Sequence, residues 1–199
     1  MYDYRNWSPK KRRAALVERA AHQFPLHSPP HISDPDKFRL ITGACFEHTH
    51  ILDSPTRIAW FEQQLVEHIA GQNLSLAAWA VLPNHYHLLV KIPEIKYFSK
   101  AQGQLHGRTS RELNREDGLQ GKRQVWCRCS DRVIRSKRHY FTTLNYIHNN
   151  PVKHGYVDRW GDWPYSSFHS YLENKGRQWL EEIWHDHPLL NYGDKWDIM

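Results

Sequence analysis

The stretch LSLAAWAVLPNHYHLLVKI (residues 74–92) carries the pattern that decides the fold of this chain of 199 residues. Leu74–Leu82 is apolar and has the composition of a buried strand, and the pair Pro83 and Asn84 interrupts it tightly. After this interruption, side chains alternate between the two faces of a second predicted strand. One face carries Tyr86, Leu88, Val90 and Ile92, and the other carries His85, His87, Leu89 and Lys91. The pattern predicts a strand, a turn and a strand that aims two imidazoles to the same side.

The flanking segments extend this unit into an alternation of strands and helices. The predicted strands are Phe38–Phe46, Leu74–Leu82, Tyr86–Ile92 and Val125–Ile134, and the predicted helices are Pro55–Ile69, the second half of the polar segment Lys96–Glu116, and Lys137–Asn149. The last helix should end near Asn150, because a residue before a proline is pushed out of the helical conformation. This order predicts an α+β fold, a ferredoxin-like antiparallel sheet with helices packed on one face.

Size and composition indicate one domain with appended segments, large enough to bury a substantial core. Residues 1–36 form a predicted basic N-terminal arm, with a short helix around Ala14–Phe24 and a Pro-rich connector, residues 37–158 form the main domain, and residues 159–199 form an aromatic, acidic C-terminal tail. Within the tail, Trp160–Leu172 is expected to pack back on the domain. We see no apolar run that could span a bilayer and no signal peptide, so we expect a soluble cytoplasmic protein with its three cysteines reduced.

Charge is distributed unevenly along the chain, although the net charge is only +6. Residues 91–138 contain thirteen Lys or Arg against five Asp or Glu, whereas residues 158–199 contain four against eight. A basic middle with an acidic tail indicates a face that binds a polyanion, and a tail that could cover this face. The alternative for the basic region is an ordinary solvated surface. The alternative for the tail is that Trp179, Trp184 and Trp196 pack on the domain.

Histidines in the pattern His-x-His occur three times, as His48/His50, His85/His87 and His185/His187. Random placement of 15 histidines would give about one such pair, so the pattern alone is weak evidence. The strand around His85 and His87 distinguishes that pair, because it points both rings one way. His48 and His50 could line the same face as a supporting group or a DNA contact, whereas the third pair has no partner element.

The predicted helix Lys137–Asn149 carries Tyr146 on a different side from its predicted core stripe. Tyr140, Leu144 and Ile147 form the predicted core stripe. Tyr146 and Asn150 are neighbours at positions i and i+4, on a flank and outside the core. The alternative is that Tyr146 and Asn150 lie at the boundary of an ordinary amphipathic helix and have no functional role.

Two imidazoles and an amide oxygen would make a three-ligand site for a divalent cation such as Mg²⁺ or Mn²⁺, with open positions for a phosphate. A tyrosine hydroxyl is a poor nucleophile unless its target is polarised, so Tyr146 beside such a site would be suited to attack a phosphodiester. For His85 and His87 the alternative is a pair of surface histidines whose hydrogen bonds are satisfied and which bind no metal. Cys127 and Cys129 have the wrong spacing for a zinc knuckle.

Two motifs resemble a known family. WAVLPNHYHLLV (79–90) resembles the His-hydrophobic-His signature of the HUH single-tyrosine transposases, and LNYIHNNPVKHGYV (144–157) resembles their tyrosine helix. The most similar branch is that of the REP-associated tyrosine transposases, relatives of the insertion-sequence transposases. The resemblance runs from Phe38 to Tyr171 and includes WPYSSF (163–168).

The resemblance implies a fold, a reaction and a set of roles. Residues 37–158 would be the catalytic domain, with the metal held by His85, His87 and Asn150 and with Tyr146 as nucleophile. The implied reaction cleaves and rejoins single-stranded DNA through a 5′-phosphotyrosine intermediate. Tyr86 departs from the pattern, because the middle position is normally apolar, and the strand alternation predicts that it packs in the core. Asn149 also stands near the ligand position, but the spacing favours Asn150.

The implied partners are single-stranded DNA and DNA hairpins of the REP type, with no membrane partner, at the nucleoid. Phosphate contacts are expected from nine basic residues: Lys10, Lys11, Arg12, Arg13, Arg132, Arg135, Lys137, Arg138 and Lys153. Insertion-sequence relatives act as dimers with swapped tyrosine helices, whereas REP-associated members can act as monomers, and a monomer is favoured.

Two other functions fit the same residues. One is a DNA hairpin-binding protein without catalysis, and the other is a metal-dependent phosphodiesterase in which water attacks and Tyr146 only positions the substrate.

Overall fold

The computed structural model describes residues 8–21, 37–119, 123–194 and 196. The strands are β1 (Phe38–Ala44), β2 (Ser75–Val81), β3 (His85–Lys91) and β4 (Ser130–Val133). The helices are α1 (Pro9–Ala21), α2 (Pro55–Ala70), α3 (Ile95–Glu116), α4 (Lys137–Lys153), α5 (Phe168–Lys175) and α6 (Arg177–Asp186). Short 3-10 turns cover Phe46–His48 and Trp160–Asp162. None of the helices in these ranges is long and apolar enough to cross a membrane.

The four strands form one antiparallel sheet in the order β2-β3-β1-β4. With α2 between β1 and β2, and α3 between β3 and β4, this is the predicted α+β, ferredoxin-like arrangement. The central pair places Gly43 opposite Tyr86 and Thr42 opposite His87. The alternation predicted for β3 is confirmed, since Tyr86 and Leu88 belong to one hydrophobic core and Leu89 to another.

Helix α2 forms as its sequence predicts. Ser54 caps the helix by accepting a hydrogen bond from the Arg57 backbone N–H, and Pro55 occupies the first turn, where its missing N–H costs nothing. The apolar stripe at helical spacing is buried and consists of Ile58, Phe61, Leu65 and Ile69. This stripe packs on the sheet face that carries Tyr86.

Helices cover both faces of the sheet, so the prediction of helices on one face is wrong. Helices α2 and α3 pack on the face of Tyr86, Leu88 and Val90. Helix α4 packs on the other face through Leu144 and Ile147, which share a core with Leu89. The sheet has apolar side chains on both sides, and each side therefore requires its own cover.

Three element boundaries differ from the prediction. Helix α3 begins at Ile95 and is helical throughout, because Phe98, Gln102 and Leu105 continue the buried stripe of its second half. Strand β4 is only four residues long, and Trp126 before it makes an isolated bridge to Cys45. Helix α1 starts at Pro9, and the predicted connector at residues 25–35 lies outside the described residues.

Helix α4 does not end at Asn150 but continues to Lys153. Pro151 lies inside the helix, and the turn beyond it is closed by the His154 N–H donating to the Asn150 carbonyl and the Tyr156 N–H donating to the Pro151 carbonyl. Gly155, with φ of 71°, ends the helix in the left-handed conformation. Lys153 therefore lies on the same rigid helix as Tyr146 and Asn150.

The segment after α4 packs back on the sheet, as predicted. The Trp163 indole N–H donates to the Val81 carbonyl at 3.0 Å, and Ser166 bridges to Ala80 on the edge strand β2. Tyr171 of α5 stacks on Trp179 of α6, and both rings pack against the core under α4. The predicted domain boundaries at residues 36 and 158 stay predictions.

Candidate active site

Strand β3 and helix α4 bring the four predicted side chains of the site together. The Nε2 atom of His85 lies 2.8 Å from Oδ1 of Asn150. The Tyr146 hydroxyl lies 3.5 Å from Nε2 of His87, and the two imidazole centroids are 5.0 Å apart. The Tyr146 hydroxyl and three atoms of the types that bind metals thus converge on the sheet face opposite Tyr86.

Tyr146 and Asn150 are buried, so the prediction that they lie on a flank outside the core is wrong. Tyr146 is 1% exposed and Asn150 is fully buried. The sheet covers the side of α4 predicted to face the core. The side that spacing assigned to the flank meets His85 and His87 of β3, and the C-terminal tail also packs on Tyr146. A helix between two layers has two buried sides, and a single predicted stripe identifies one of them.

Two side chains fix the orientation of the imidazoles. Thr42 Oγ1 lies 2.9 Å from Nδ1 of His87, across the β1–β3 pair. Asn84 Oδ1 lies 2.7 Å from Nδ1 of His85, and the Asn84 amide is itself held by donating to the His48 carbonyl. Both histidines are therefore held by Nδ1, which leaves Nε2 directed into the site.

The hydrogen bonding of His85 suits a bound cation. Its two ring nitrogens face two amide oxygens, and a neutral imidazole can donate a hydrogen bond from only one of them. Donation from Nδ1 to Asn84 leaves the Nε2 lone pair beside Oδ1 of Asn150, and a cation would be attracted to both. Within the described part of the chain, Nδ2 of Asn150 is buried without a hydrogen-bond partner, so the site has capacity for one more acceptor.

The structure separates Asn150 from its neighbour Asn149. Asn149 Oδ1 accepts a hydrogen bond from the Trp160 indole at 3.0 Å, on the side of α4 near the Trp160–Asp162 turn. Asn150 faces His85. The geometry agrees with the choice of Asn150 made from spacing.

Sequence reasoning missed the residues that close the site. Tyr192 and Trp196 lie 5.6 Å and 5.5 Å from the Tyr146 ring, and a Cβ atom at Gly193 would stand 2.2 Å from it. The Lys153 ammonium donates to the Gly193 carbonyl at 2.9 Å and lies 5.3 Å from the Tyr146 ring centre. Residues 188–194 and 196, which we call the tail segment, therefore cover the candidate nucleophile.

The remaining histidine pairs do not join the site. His48 contributes its carbonyl to Asn84, and the His50 ring lies 3.3 Å from the Tyr156 hydroxyl. His187 stacks on Phe141, on the outer side of α4. A histidine outside these pairs, His154, has its ring centre 4.9 Å from that of His85. It lies within the motif at residues 144–157, but the sequence analysis gave it no role.

The predicted basic contacts fall into separate groups. Arg132, Arg135, Lys137 and Arg138 cluster at the end of β4 and the start of α4, where all but the half-buried Arg132 are exposed. Lys153 lies at the other end of α4, beside Tyr146. Lys10, Lys11 and Arg13 are exposed on α1, whereas the side chain of Arg12 lies outside the described residues.

Tyr86 packs in the opposite core, as predicted. It is fully buried, it accepts a hydrogen bond from Gln102, and its hydroxyl lies 2.8 Å from Nε2 of His106. Burial raises the pKa of Tyr86 well above its ordinary value. The tyrosine between the two histidines therefore cannot act at the site formed by their rings.

The chain is similar to known proteins of one family. A family model described as "Transposase IS200 like" matches residues 47–150, just over half of the chain. A Haemophilus influenzae protein named as a REP-associated tyrosine transposase is 34% identical over 121 residues, 54% of this chain and 64% of that protein, just under two thirds of its length. The REP-associated tyrosine transposase of Escherichia coli K12 is 26% identical over 145 residues, covering 69% of this chain and 84% of that protein.

A solved structure also shares the fold. A REP-associated tyrosine transposase bound to a REP hairpin matches with a TM-score of 0.61 and 24% identity, covering 75% of this chain and 87% of the other. The predicted fold and the predicted resemblance are both confirmed by these matches.

Proposed function

We propose, since this chain belongs to the family of IS200-like transposases, that it cleaves and rejoins single-stranded DNA beside REP-type hairpins through a 5′-phosphotyrosine intermediate. The observation that carries the proposal is the distance of 3.5 Å between the Tyr146 hydroxyl and His87, next to the contact of 2.8 Å between His85 and Asn150. A nucleophile and a set of cation ligands meet at one place in one chain.

Tyr146 is the proposed nucleophile. Its oxygen forms a bond to the scissile phosphorus, the bond from phosphorus to the 3′ oxygen breaks, and the tyrosine proton is balanced by a proton taken up on the released 3′ hydroxyl. The phosphodiester is conserved in the link to Tyr146, so a second 3′ hydroxyl can reverse the step and join strands without a further energy source.

His85, His87 and Asn150 are the proposed ligands of a divalent cation, Mg²⁺ or Mn²⁺. Such a cation, when bound, would polarise the phosphodiester and stabilise its developing charge. Thr42 and Asn84 hold the two imidazoles by Nδ1, which keeps Nε2 oriented before substrate arrives. The cation is a proposal supported by the two amide oxygens that face His85.

DNA hairpins are the proposed substrates because the matched Escherichia coli and Haemophilus influenzae proteins are named REP-associated transposases. The basic cluster from Arg132 to Arg138 would contact phosphates. An enzyme with such a substrate would work in the cytoplasm at the nucleoid.

The experiment that tests the proposal is a search for the covalent intermediate. Labelled single-stranded DNA containing palindromes from the chromosome that encodes the protein would be incubated with the full chain and Mn²⁺, and then denatured. We expect a labelled protein band that survives denaturation and disappears in Tyr146→Phe.

Tyr86→Phe is the matched control, because it removes the other tyrosine hydroxyl near the motif and should retain the band. Cleavage without any covalent band would favour the water-using phosphodiesterase. Binding with neither cleavage nor band, in wild type, would favour the non-catalytic hairpin binder and overturn the proposal.

A further inference from the structure

The turn Phe46–His48 after β1 holds two successive residues in an unfavourable backbone conformation. Glu47 and His48 both have φ of 54°, in the left-handed region that residues other than glycine disfavour. Both side chains are exposed, so packing in the core does not explain either conformation. Backbone strain persists where the surrounding structure imposes it, and it is concentrated at functional sites. The contacts of this turn therefore indicate what its strain supports.

Hydrogen bonds tie the turn to Asn84, the residue that precedes β3. The Cys45 backbone N–H donates to the Asn84 carbonyl at 2.7 Å. The Asn84 side-chain amide donates to the His48 carbonyl at 3.2 Å, and Asn84 is fully buried. The turn thus presents a backbone carbonyl to the side chain that lies next to His85.

The His48 carbonyl fixes which way the Asn84 amide points. A carbonyl oxygen can only accept hydrogen bonds, so Nδ2 of Asn84 must face it and Oδ1 must face away. Oδ1 lies 2.7 Å from Nδ1 of His85. If the amide were rotated by half a turn, two acceptor oxygens would meet inside the protein, which is costly for buried polar groups.

This orientation of the amide selects one tautomer of His85. An amide oxygen only accepts hydrogen bonds, so the ring must carry its proton on Nδ1 to bond with Asn84. The lone pair is then on Nε2, which lies 2.8 Å from Oδ1 of Asn150 among the proposed cation ligands. The opposite tautomer would donate from Nε2 to Asn150 and would leave no lone pair for a cation.

We propose that the strained turn Phe46–His48 is a positioning element that sets the tautomer of His85 through Asn84, with the His48 carbonyl as its point of contact. The inference rests on the proposed function for the cation. It gives a part in forming the cation site to a backbone group that lies outside both sequence motifs. The backbone conformation at residue 48 determines where this carbonyl points, so conformational preference at this position should control the affinity for the cation.

Substitutions at His48 test this control by the backbone. His48→Gly and His48→Val both remove the imidazole, but glycine adopts the left-handed conformation easily and a β-branched residue does not. We expect His48→Gly to bind Mn²⁺ like wild type and His48→Val to bind it roughly fivefold more weakly. Isothermal titration calorimetry on DNA-free protein measures these affinities. His48→Ala has a smaller backbone penalty and gives the same comparison if the valine variant does not fold.

Asn73→Val is the matched control. Asn73 is also exposed and also has φ of 54°, but it lies in the turn between α2 and β2. Asn73→Val should lower the midpoint of urea unfolding about as much as His48→Val does, and it should leave Mn²⁺ affinity unchanged.

Three outcomes of these titrations would overturn the proposal. An equal loss of Mn²⁺ affinity in the two valine variants would show that the strain acts only through stability. An equal loss in His48→Gly and His48→Val would assign the effect to the imidazole. An undiminished affinity in His48→Val would show that the turn does not act on the site.

The tautomer of His85 is a second readout, and it needs no cation. Nitrogen chemical shifts of metal-free protein with isotope-labelled histidine distinguish a proton on Nδ1 from a proton on Nε2, and His85→Gln identifies the signal. At a pH where the imidazole is neutral, we expect the proton on Nδ1 in wild type and His48→Gly, and a mixture of tautomers in His48→Val. A wild-type His85 with its proton on Nε2 would contradict the inference directly.

The two proposals can fail separately. The tautomer is measured without DNA and without Mn²⁺, so a missing covalent band leaves that result intact. A wild-type protein that forms the band but carries the proton on Nε2 of His85 would retain the proposed function and lose the positioning role of the turn.

Discussion

Two tyrosines, Tyr86 and Tyr146, are buried on opposite faces of the sheet in similar surroundings. Each has a histidine near its hydroxyl, His106 at 2.8 Å and His87 at 3.5 Å respectively. Each also lies against a glycine, because a Cβ atom at Gly43 would stand 2.3 Å from the Tyr86 ring and one at Gly193 would stand 2.2 Å from the Tyr146 ring. Residue type and burial alone do not distinguish the two.

The difference lies in what covers each ring. Tyr86 is enclosed by Phe61 of α2, by Trp126 and by Gln102 of α3, all within the main core. Tyr146 is covered by the tail segment, which is held by aromatic contacts, by a hydrogen bond from Lys153 to the Gly193 carbonyl, and by hydrogen bonds between the Tyr192 hydroxyl and both His139 and Thr143. A buried tyrosine can serve as a nucleophile when its cover can leave without unfolding the sheet.

The largest expected effect is on the free energy of unfolding, and it distinguishes substitutions at the two glycines. Gly43→Ala should lower the free energy of unfolding by about 3 kcal/mol, because the central strand cannot move away from Tyr86. Gly193→Ala should cost only about 1 kcal/mol, because we expect an irregular surface segment to shift away from Tyr146 more easily than a central strand, and it should raise the rate of covalent band formation. Urea unfolding measures both free energies, and equal losses would show that the tail segment is as fixed as β1.

A second comparison concerns buried histidines on the two faces and pH. Burial lowers the pKa of His106 to about 4 and that of His148 to about 3, with smaller contributions from His68 and His169 respectively. The unfolded chain therefore takes up these protons first as the pH falls below about 6.5. Stability should fall by about 1.4 kcal/mol per pH unit for each histidine, down to the pKa of the folded state.

His106→Gln should reduce the slope of the unfolding free energy against pH by the contribution of one proton, between about pH 6 and pH 4. His148→Gln should remove one from a window that extends to about pH 3. Urea unfolding at several pH values provides the slopes. An unchanged slope in either variant would mean that its histidine is protonated equally in both states.

The smallest expected effect is on Mn²⁺ affinity. It distinguishes Asn84, which holds His85, from Gln102, which holds Tyr86 on the other face. Asn84→Ala should weaken Mn²⁺ binding to the DNA-free protein about tenfold, because His85 loses the oxygen that orients Nδ1. Gln102→Ala, which removes the partner of Tyr86, should leave Mn²⁺ binding unchanged. Isothermal titration calorimetry gives both affinities, and an equal loss would indicate an indirect effect through stability.

Much of the sheet could be predicted from local pattern. The alternation from His85 to Lys91 and the apolar stripe of α2 each follow a regular period, and this period is visible among residues close in sequence. The resemblance and the spacing from Tyr146 favoured Asn150 over Asn149, and the structure places Asn150 beside His85. These features depend on periodicity, which the chain displays directly.

The cover of Tyr146 could not be predicted in the same way. Tyr192, Gly193 and Trp196 lie in an irregular segment more than forty residues from Tyr146 along the chain, and irregular segments have no period to read. The acidic balance of the tail did indicate a cover over a basic face, but not which side chain it would reach. The extension of α4 past Pro151 depends on hydrogen bonds from the backbone N–H groups of His154 and Tyr156. The conformational preference of a residue before proline does not take such bonds into account.

The continuity of α4 has a genetic consequence. One uninterrupted helix places Tyr146 and Asn150 beside the histidines of β3 in the same chain, and we expect each chain to keep its own site when copies meet. Two defective copies, one lacking the tyrosine and one lacking a histidine, would then fail to complement each other when expressed together. The two defective copies would complement each other only if α4 were exchanged between them.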